Sequence, residues 1–223
     1  ASTAAGKTYQ FGLGDKADVT VSGTASVEGA FPLTGSVMNS TVLSNPSLAT
    51  LRVQAVSVGT SLNAGTKNQL VAQFQFQANN SNVKITQLMF TEVGTINAAS
   101  DLANVKVMKD TEQVGKTLEK LNSDGTALID LGAGYTIQSG GNVTFNVYAD
   151  VIGTPNREFR FSVQRNYDII AWDTYYNTGI LATETNGGSF PVQQATAISV
   201  RAGTLVVNTD QTSPTGNIST GIN

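Results

Sequence analysis

The chain has 223 residues, 13 basic and 16 acidic, for a net charge of -3. Charged residues make up 13% and apolar residues 40%, a balance of a folded domain rather than a disordered chain, and no Lys/Arg cluster offers a surface that tracks phosphates, so nucleic acid is not an expected partner. Histidine and cysteine are both absent, which excludes a Ser-His-Asp triad, a Cys-His pair, a histidine zinc site and any disulfide.

The first residue is Ala1 rather than methionine, the expected mark of a mature form trimmed of a leader or of a segment of something longer. No apolar run approaches the roughly 18 residues that span a bilayer, so no membrane span is expected. Residues 1–17 mix small and polar residues around Tyr9, Phe11 and Leu13, an alternation that fits one strand or a flexible arm. Asp18 to Val27 places Val19, Val21 and Val27 on a β-like register and predicts a strand. Phe31-Pro32 follows. Proline fixes φ and lacks an N–H, so this position belongs at a sheet edge or a strand start. Asn39 to Pro46 is polar and ends in the turn signal Asn45-Pro46.

From Leu51 the pattern becomes regular. Leu51, Val53 and Ala55 make a first strand, with Val56 and Val58 after a register change, and Asn63-Ala64-Gly65 turns the chain. Leu70, Ala72, Phe74, Phe76 and Ala78 then alternate with Val71, Gln73, Gln75 and Gln77, the pattern of a half-buried antiparallel strand. Val83 and Ile85 share one parity and Leu88 and Phe90 the other, which predicts a β-bulge near Thr86-Gln87. Leu102, Val105 and Val107 predict a short strand, and Val114 and Leu118 a further edge strand. Asp124-Gly125 is a tight-turn signal before Leu128–Leu131. Val143, Phe145, Val147, Ala149 and Val151 form a second near-ideal alternation, answered by Phe159, Phe161 and Val163. Ile169 to Trp172 and Ile180 to Ala182 complete the series around a polar aromatic loop, Asp173–Thr178. Many short strands with turn signals and no convincing helix predict an all-β fold, an immunoglobulin-like antiparallel β-sandwich with incomplete flanking strands at both ends.

The incompleteness follows from a repeat. Phe31-Pro32-Leu33 leads to Thr50-Leu51-Arg52-Val53, and Phe190-Pro191-Val192 leads to Thr204-Leu205-Val206-Val207. Similar codas follow, Ser57–Asn63 and Thr209–Asn217. Residues 50–200 then read as one complete sandwich module. Residues 1–49 read as the last strands of a preceding module or a strand-exchange region, and 201–223 as a C-terminal strand that is donated or begins the next module. Leu205, Val206, Val207 and Ile218 have no module of their own to pack against. Burying each is worth roughly 1.5–3 kcal/mol, together comparable with the whole stability of a domain, about 5–15 kcal/mol.

Four pieces carry a resemblance: Ala64-Gly65-Thr66, the Leu70–Ala78 alternation, Asp101-Leu102-x-Asn104-Val105-x-Val107, and Val143–Asp150. Together they resemble the tandem immunoglobulin-like modules of large bacterial surface proteins of the S-layer, adhesin or fibre kind. The resemblance implies an extracellular or cell-surface structural role and brings no functional residues with it.

Three groups of side chains are candidate sites. Trp172, Tyr175 and Tyr176 beside Asp168 and Asp173 suggest an aromatic platform for a sugar ring, against a reading in which Trp172 is core and the tyrosines cap a sandwich end. Asp101, Asp110, Asp124, Asp130 and Asp150 suggest loop ligands for calcium but lack the spacing of a calcium-binding loop; no other cofactor is expected. Asn39, Asn79, Asn142 and Asn217 each open an Asn-x-Ser/Thr triplet. No carboxylate pair is evident, so an enzyme is not expected. The sequence favours a structural protein whose partners are copies of itself or adjacent modules of a longer chain, assembling head-to-tail through shared strands. The alternative is an adhesin or glycan-binding module using the Trp172–Tyr176 loop. Without histidine, assembly is expected to change little between about pH 6 and 8.

Overall fold

The computed structural model describes residues 6–23, 26–40 and 47–203. The chain divides into two compact units, Ala1–Leu48 and Ala49–Asn223. Leu205, Val206, Val207 and Ile218 lie outside the described residues.

In the N-terminal unit, Thr8–Tyr9 (β1) and Gly12–Leu13 (β2) are two pieces of one extended segment. Leu33–Thr34 (β3) pairs antiparallel with β2, and Met38–Asn39 (β4) with β1. The alternation of Tyr9, Phe11 and Leu13 is thus a strand. A 3-10 turn at Lys16–Asp18 follows. The strand expected over Asp18–Val27 is absent from the described residues there. The 3-10 turn explains its start: the N–H groups of Asp18 and Val19 donate to the carbonyls of Asp15 at 3.3 Å and Lys16 at 3.2 Å, and these are donors that a ladder would need.

The second unit is a β-sandwich. In chain order its strands are Thr50–Val56 (β5), Ser61–Asn63 (β6), Thr66–Asn79 (β7), Val83–Gly94 (β8), Leu102–Lys109 (β9), Glu112–Lys120 (β10), Thr126–Ile137 (β11), Asn142–Val151 (β12), Arg157–Val163 (β13), Ile169–Asp173 (β14), Thr178–Ile180 (β15), Ala182–Glu184 (β16), Val192–Gln193 (β17) and Ile198–Arg201 (β18). One sheet runs β10-β9-β12-β7-β5-β16. The other runs β15-β14-β8-β13-β18-β6, with β11 on the free edge of β8 and β17 on β13. One helical turn, Ala98–Asp101 (α1), precedes β9.

The hydrophobic alternation places the core between the sheets. Ala72, Phe74, Phe76 and Ala78 point inward, as do Val143, Phe145, Val147, Ala149 and Val151 on the neighbouring strand. Phe74 stacks on Phe90 of the opposite sheet with ring centroids 5.1 Å apart, and Tyr135 meets Phe145 edge-on at 5.3 Å. The bulge expected near Thr86-Gln87 is present: Ile170 pairs with Gln87 but Ala171 with Ile85, so Thr86 is the extra residue. A second bulge was not legible. Val147 pairs with Ala72 but Tyr148 with Leu70, which turns Val71 inward although its parity assigns it to the outer face. At Gly94 a Cβ would lie 2.1 Å from the carbonyl oxygen of Glu158, so only glycine lets β8 and β13 approach there.

Two pairings depart from an all-antiparallel sandwich. β16 runs parallel to β5, and β18 parallel to β6. The cause is the path of residues 50–63, which begin in one sheet as β5 and cross to the other as β6. The last strands of the unit close on both and run in the same direction. No helix among the described residues is long and apolar enough to cross a membrane.

Candidate functional site

The N-terminal unit repeats the last part of the sandwich strand by strand. Tyr9 pairs with Met38 and Leu13 with Leu33; in the sandwich, Phe159 pairs with Ile198 and Val163 with Val192. The segment Tyr9-x-Phe11-x-Leu13 therefore matches Phe159-x-Phe161-x-Val163 at an offset of 150 residues. At that same offset the turn Lys16–Asp18 matches the 3-10 turn Asn166–Asp168. In both turns the last aspartate accepts the backbone N–H three residues earlier, Asp15 to Asp18 and Arg165 to Asp168. Proline stands directly before β3 and before β17, as its missing N–H requires, and both Phe-Pro peptides are cis.

What differs is burial. Phe159, Phe161, Val163, Val192 and Ile198 are buried in the sandwich core. Their counterparts Tyr9, Phe11, Leu13, Leu33 and Met38 are exposed, Phe11 by 75% and Leu33 by 53%. The unit carries the strands and the apolar side chains of the last part of a sandwich, and these side chains face solvent. The Phe-Pro pairs mark this repeat in the sequence. The aromatic-x-aromatic-x-aliphatic match, followed five residues on by Asp-aliphatic (Asp18-Val19, Asp168-Ile169), was a further signal that sequence reading missed.

The aromatic loop lies at one end of the sandwich. Along β14 the side chains alternate, Ile169, Ala171 and Asp173 inward and Ile170 and Trp172 outward. Trp172 is 41% exposed, so it is not a core residue. A shallow recess beside it is lined by Lys84, Thr86, Thr174 and Asn177. Tyr175, 65% exposed, stands edge-on to Tyr176 with centroids 4.9 Å apart, and neither tyrosine lines that recess.

The two carboxylates flanking the loop are structural. Asp173 is fully buried and accepts backbone N–H groups from Ala49 at 2.8 Å, Tyr175 at 2.8 Å and Tyr176 at 3.0 Å, and the hydroxyl of Ser81 at 3.1 Å. Burial works to raise its pKa, but these four hydrogen bonds outweigh burial and hold the carboxyl below its ordinary value. Asp168 is buried under its own 3-10 turn.

The five aspartates named as calcium ligands are dispersed, each with local work. Asp150 holds the Asn104 amide at 2.8 Å and the Asn68 N–H at 2.7 Å. Asp124 caps its own turn through Thr126, and Asp130 accepts the Gly132 N–H. Asp110 pairs with Lys109, and Asp101 accepts the Asn97 N–H. Among the described residues no three acidic side chains gather at one point. One carboxylate proximity was invisible in sequence: burial first, then the charge of Asp101, pushes the Glu92 carboxyl up to about 7. This gives a chain without histidine a group that titrates near neutrality.

Comparison with known protein families, with curated proteins and with solved structures returned no match. The likeness to tandem surface-protein modules therefore rests on the strand pattern alone.

Proposed function

We propose that this chain is a non-enzymatic structural subunit of an extracellular filament or surface layer, joined head-to-tail to its neighbours through shared or donated β-strands. One observation carries the reading: the N-terminal unit repeats the closing strands of the sandwich, with the counterparts of its core residues left exposed. An exposed apolar strand face of that kind marks a surface that a partner strand covers. Backbone ladder bonds then give the joint its strength, and alternating side chains give its register. A contact between two different surfaces of one subunit does not close on itself, so it propagates into an open chain.

The test is negative-stain microscopy and sedimentation velocity of the full chain over a range of concentrations, beside a version ending at Arg201. Elongated assemblies that grow with concentration and require the tail support the proposal. A full chain that stays monomeric throughout overturns it.

A second reading is favoured by the exposure of Trp172 and Tyr175 at one sandwich end. Here the chain is an adhesin or glycan-binding module, with carbohydrate stacked on these aromatics. Tyr175→Ala with Tyr176→Ala separates the two: glycan retention on an array is lost, while assembly is unaltered.

A further inference from the structure

The sandwich contains within itself the template for its own junction. Its first segment, Thr50–Asn63, docks on its last strands. Leu51 and Val53 of β5 are fully buried, and β5 lies against β17. β6 runs parallel to β18, Ser61 beside Ser199. Both halves of this arrangement occur a second time. Thr204-Leu205-Val206-Val207 through Asn217 repeats Thr50-Leu51-Arg52-Val53 through Asn63 in sequence. β3 and β4 repeat β17 and β18 in structure, Leu33 standing for Val192 and Asn39 for Ser199. Residues 50–63 of each chain are already docked within their own sandwich and are not free to fill the second copy of the site.

We infer that residues 204–217 of one copy dock on β3 and β4 of the next, in the register that residues 50–63 take on β17 and β18. Leu205 and Val207 cover Leu33, as β5 lies against β17. Thr215 runs parallel beside Asn39, as Ser61 runs beside Ser199. This rests on the head-to-tail reading above and names the acceptor, the donor and the register of that joint.

The experiment compares full-length chains by sedimentation velocity and light scattering: wild type, Leu33→Asp and Leu205→Asp. Leu33 is exposed, so its replacement leaves the fold intact, and Leu33→Met serves as the conservative control that retains assembly. Each aspartate variant alone is expected to lose association by roughly ten- to a hundredfold, the effect of withdrawing one aliphatic contact. An equimolar mixture is expected to form a pair and stop there. The Leu33→Asp copy still donates and the Leu205→Asp copy still accepts, but neither pair can be extended.

The outcomes are separable. Assembly of wild type together with undiminished assembly of either variant overturns this register and leaves head-to-tail association standing through another surface. Variants that are monomeric alone and stay monomeric when mixed overturn the transfer between copies. A monomeric wild type overturns both this inference and the reading beneath it.

Discussion

The carboxylate of Asp173 accepts the backbone N–H of Ala49 at 2.8 Å across 124 residues of chain. The bond ties the entry of the first sandwich strand to the end of β14, and the same carboxylate holds the amides of Tyr175 and Tyr176. The end of the sandwich and the aromatic loop are therefore one hydrogen-bonded assembly.

Removing that carboxylate leaves buried donors without a partner. Asp173→Ala is expected to destabilise the sandwich by about 2–4 kcal/mol, the cost of orphaning several charge-assisted bonds. Urea unfolding followed by tryptophan fluorescence measures it. A loss below ~1 kcal/mol would show that the loop repacks without the clamp.

Acid acts on the same residue. Its folded pKa lies below the ordinary 3.8, so its contribution is present above that value and is lost as pH falls through the depressed one. Stability is expected to drop steeply below about pH 4 in the wild type. Asp173→Asn starts lower and has a flatter profile there; parallel acid-induced losses in both proteins would assign the effect to other carboxylates.

Glu92 has the opposite sign. Its folded value near 7 lies above the ordinary 4.5, so between the two the folded state keeps a proton that the unfolded chain has released. The stabilisation is complete below 4.5 and is lost as pH rises through 7. A shift of that size is worth ~3 kcal/mol in full, reduced to about 1–2 kcal/mol because part of the side chain still reaches solvent. Glu92→Gln should remove the slope between pH 5 and 8 in thermal melts. An unchanged slope places the titration elsewhere.

The repeat makes a paired prediction. Phe161→Ala empties a fully buried site and is expected to cost about 3–5 kcal/mol. Phe11→Ala, at the matching position, is expected to change the stability of the isolated chain by no more than about 0.5 kcal/mol, because its ring is exposed. Calorimetry of both variants at low protein concentration decides it. Equal losses would mean that Phe11 is packed in solution.

By itself the sequence determined the sandwich and much of its register. Period-two alternation is a local property, so the Phe74–Ala78 and Val143–Val151 faces were legible, and so was the Thr86 bulge, where the parity of buried residues changes. The Phe-Pro pairs marked the matching positions directly before β3 and β17. Tertiary structure decided what depends on partners distant in sequence. Val71 turns inward because it bulges opposite Val147 and Tyr148 of another strand, and Asp18 and Val19 start no strand because the preceding 3-10 turn takes their N–H groups. Trp172 is outside because Asp173 is needed inside, four donors converging on one carboxylate from segments as far apart as Ala49 and Tyr176. The match between Tyr9-x-Phe11-x-Leu13 and Phe159-x-Phe161-x-Val163 became visible only through shared pairing, since strand pairing fixes which positions correspond when the side chains themselves have changed.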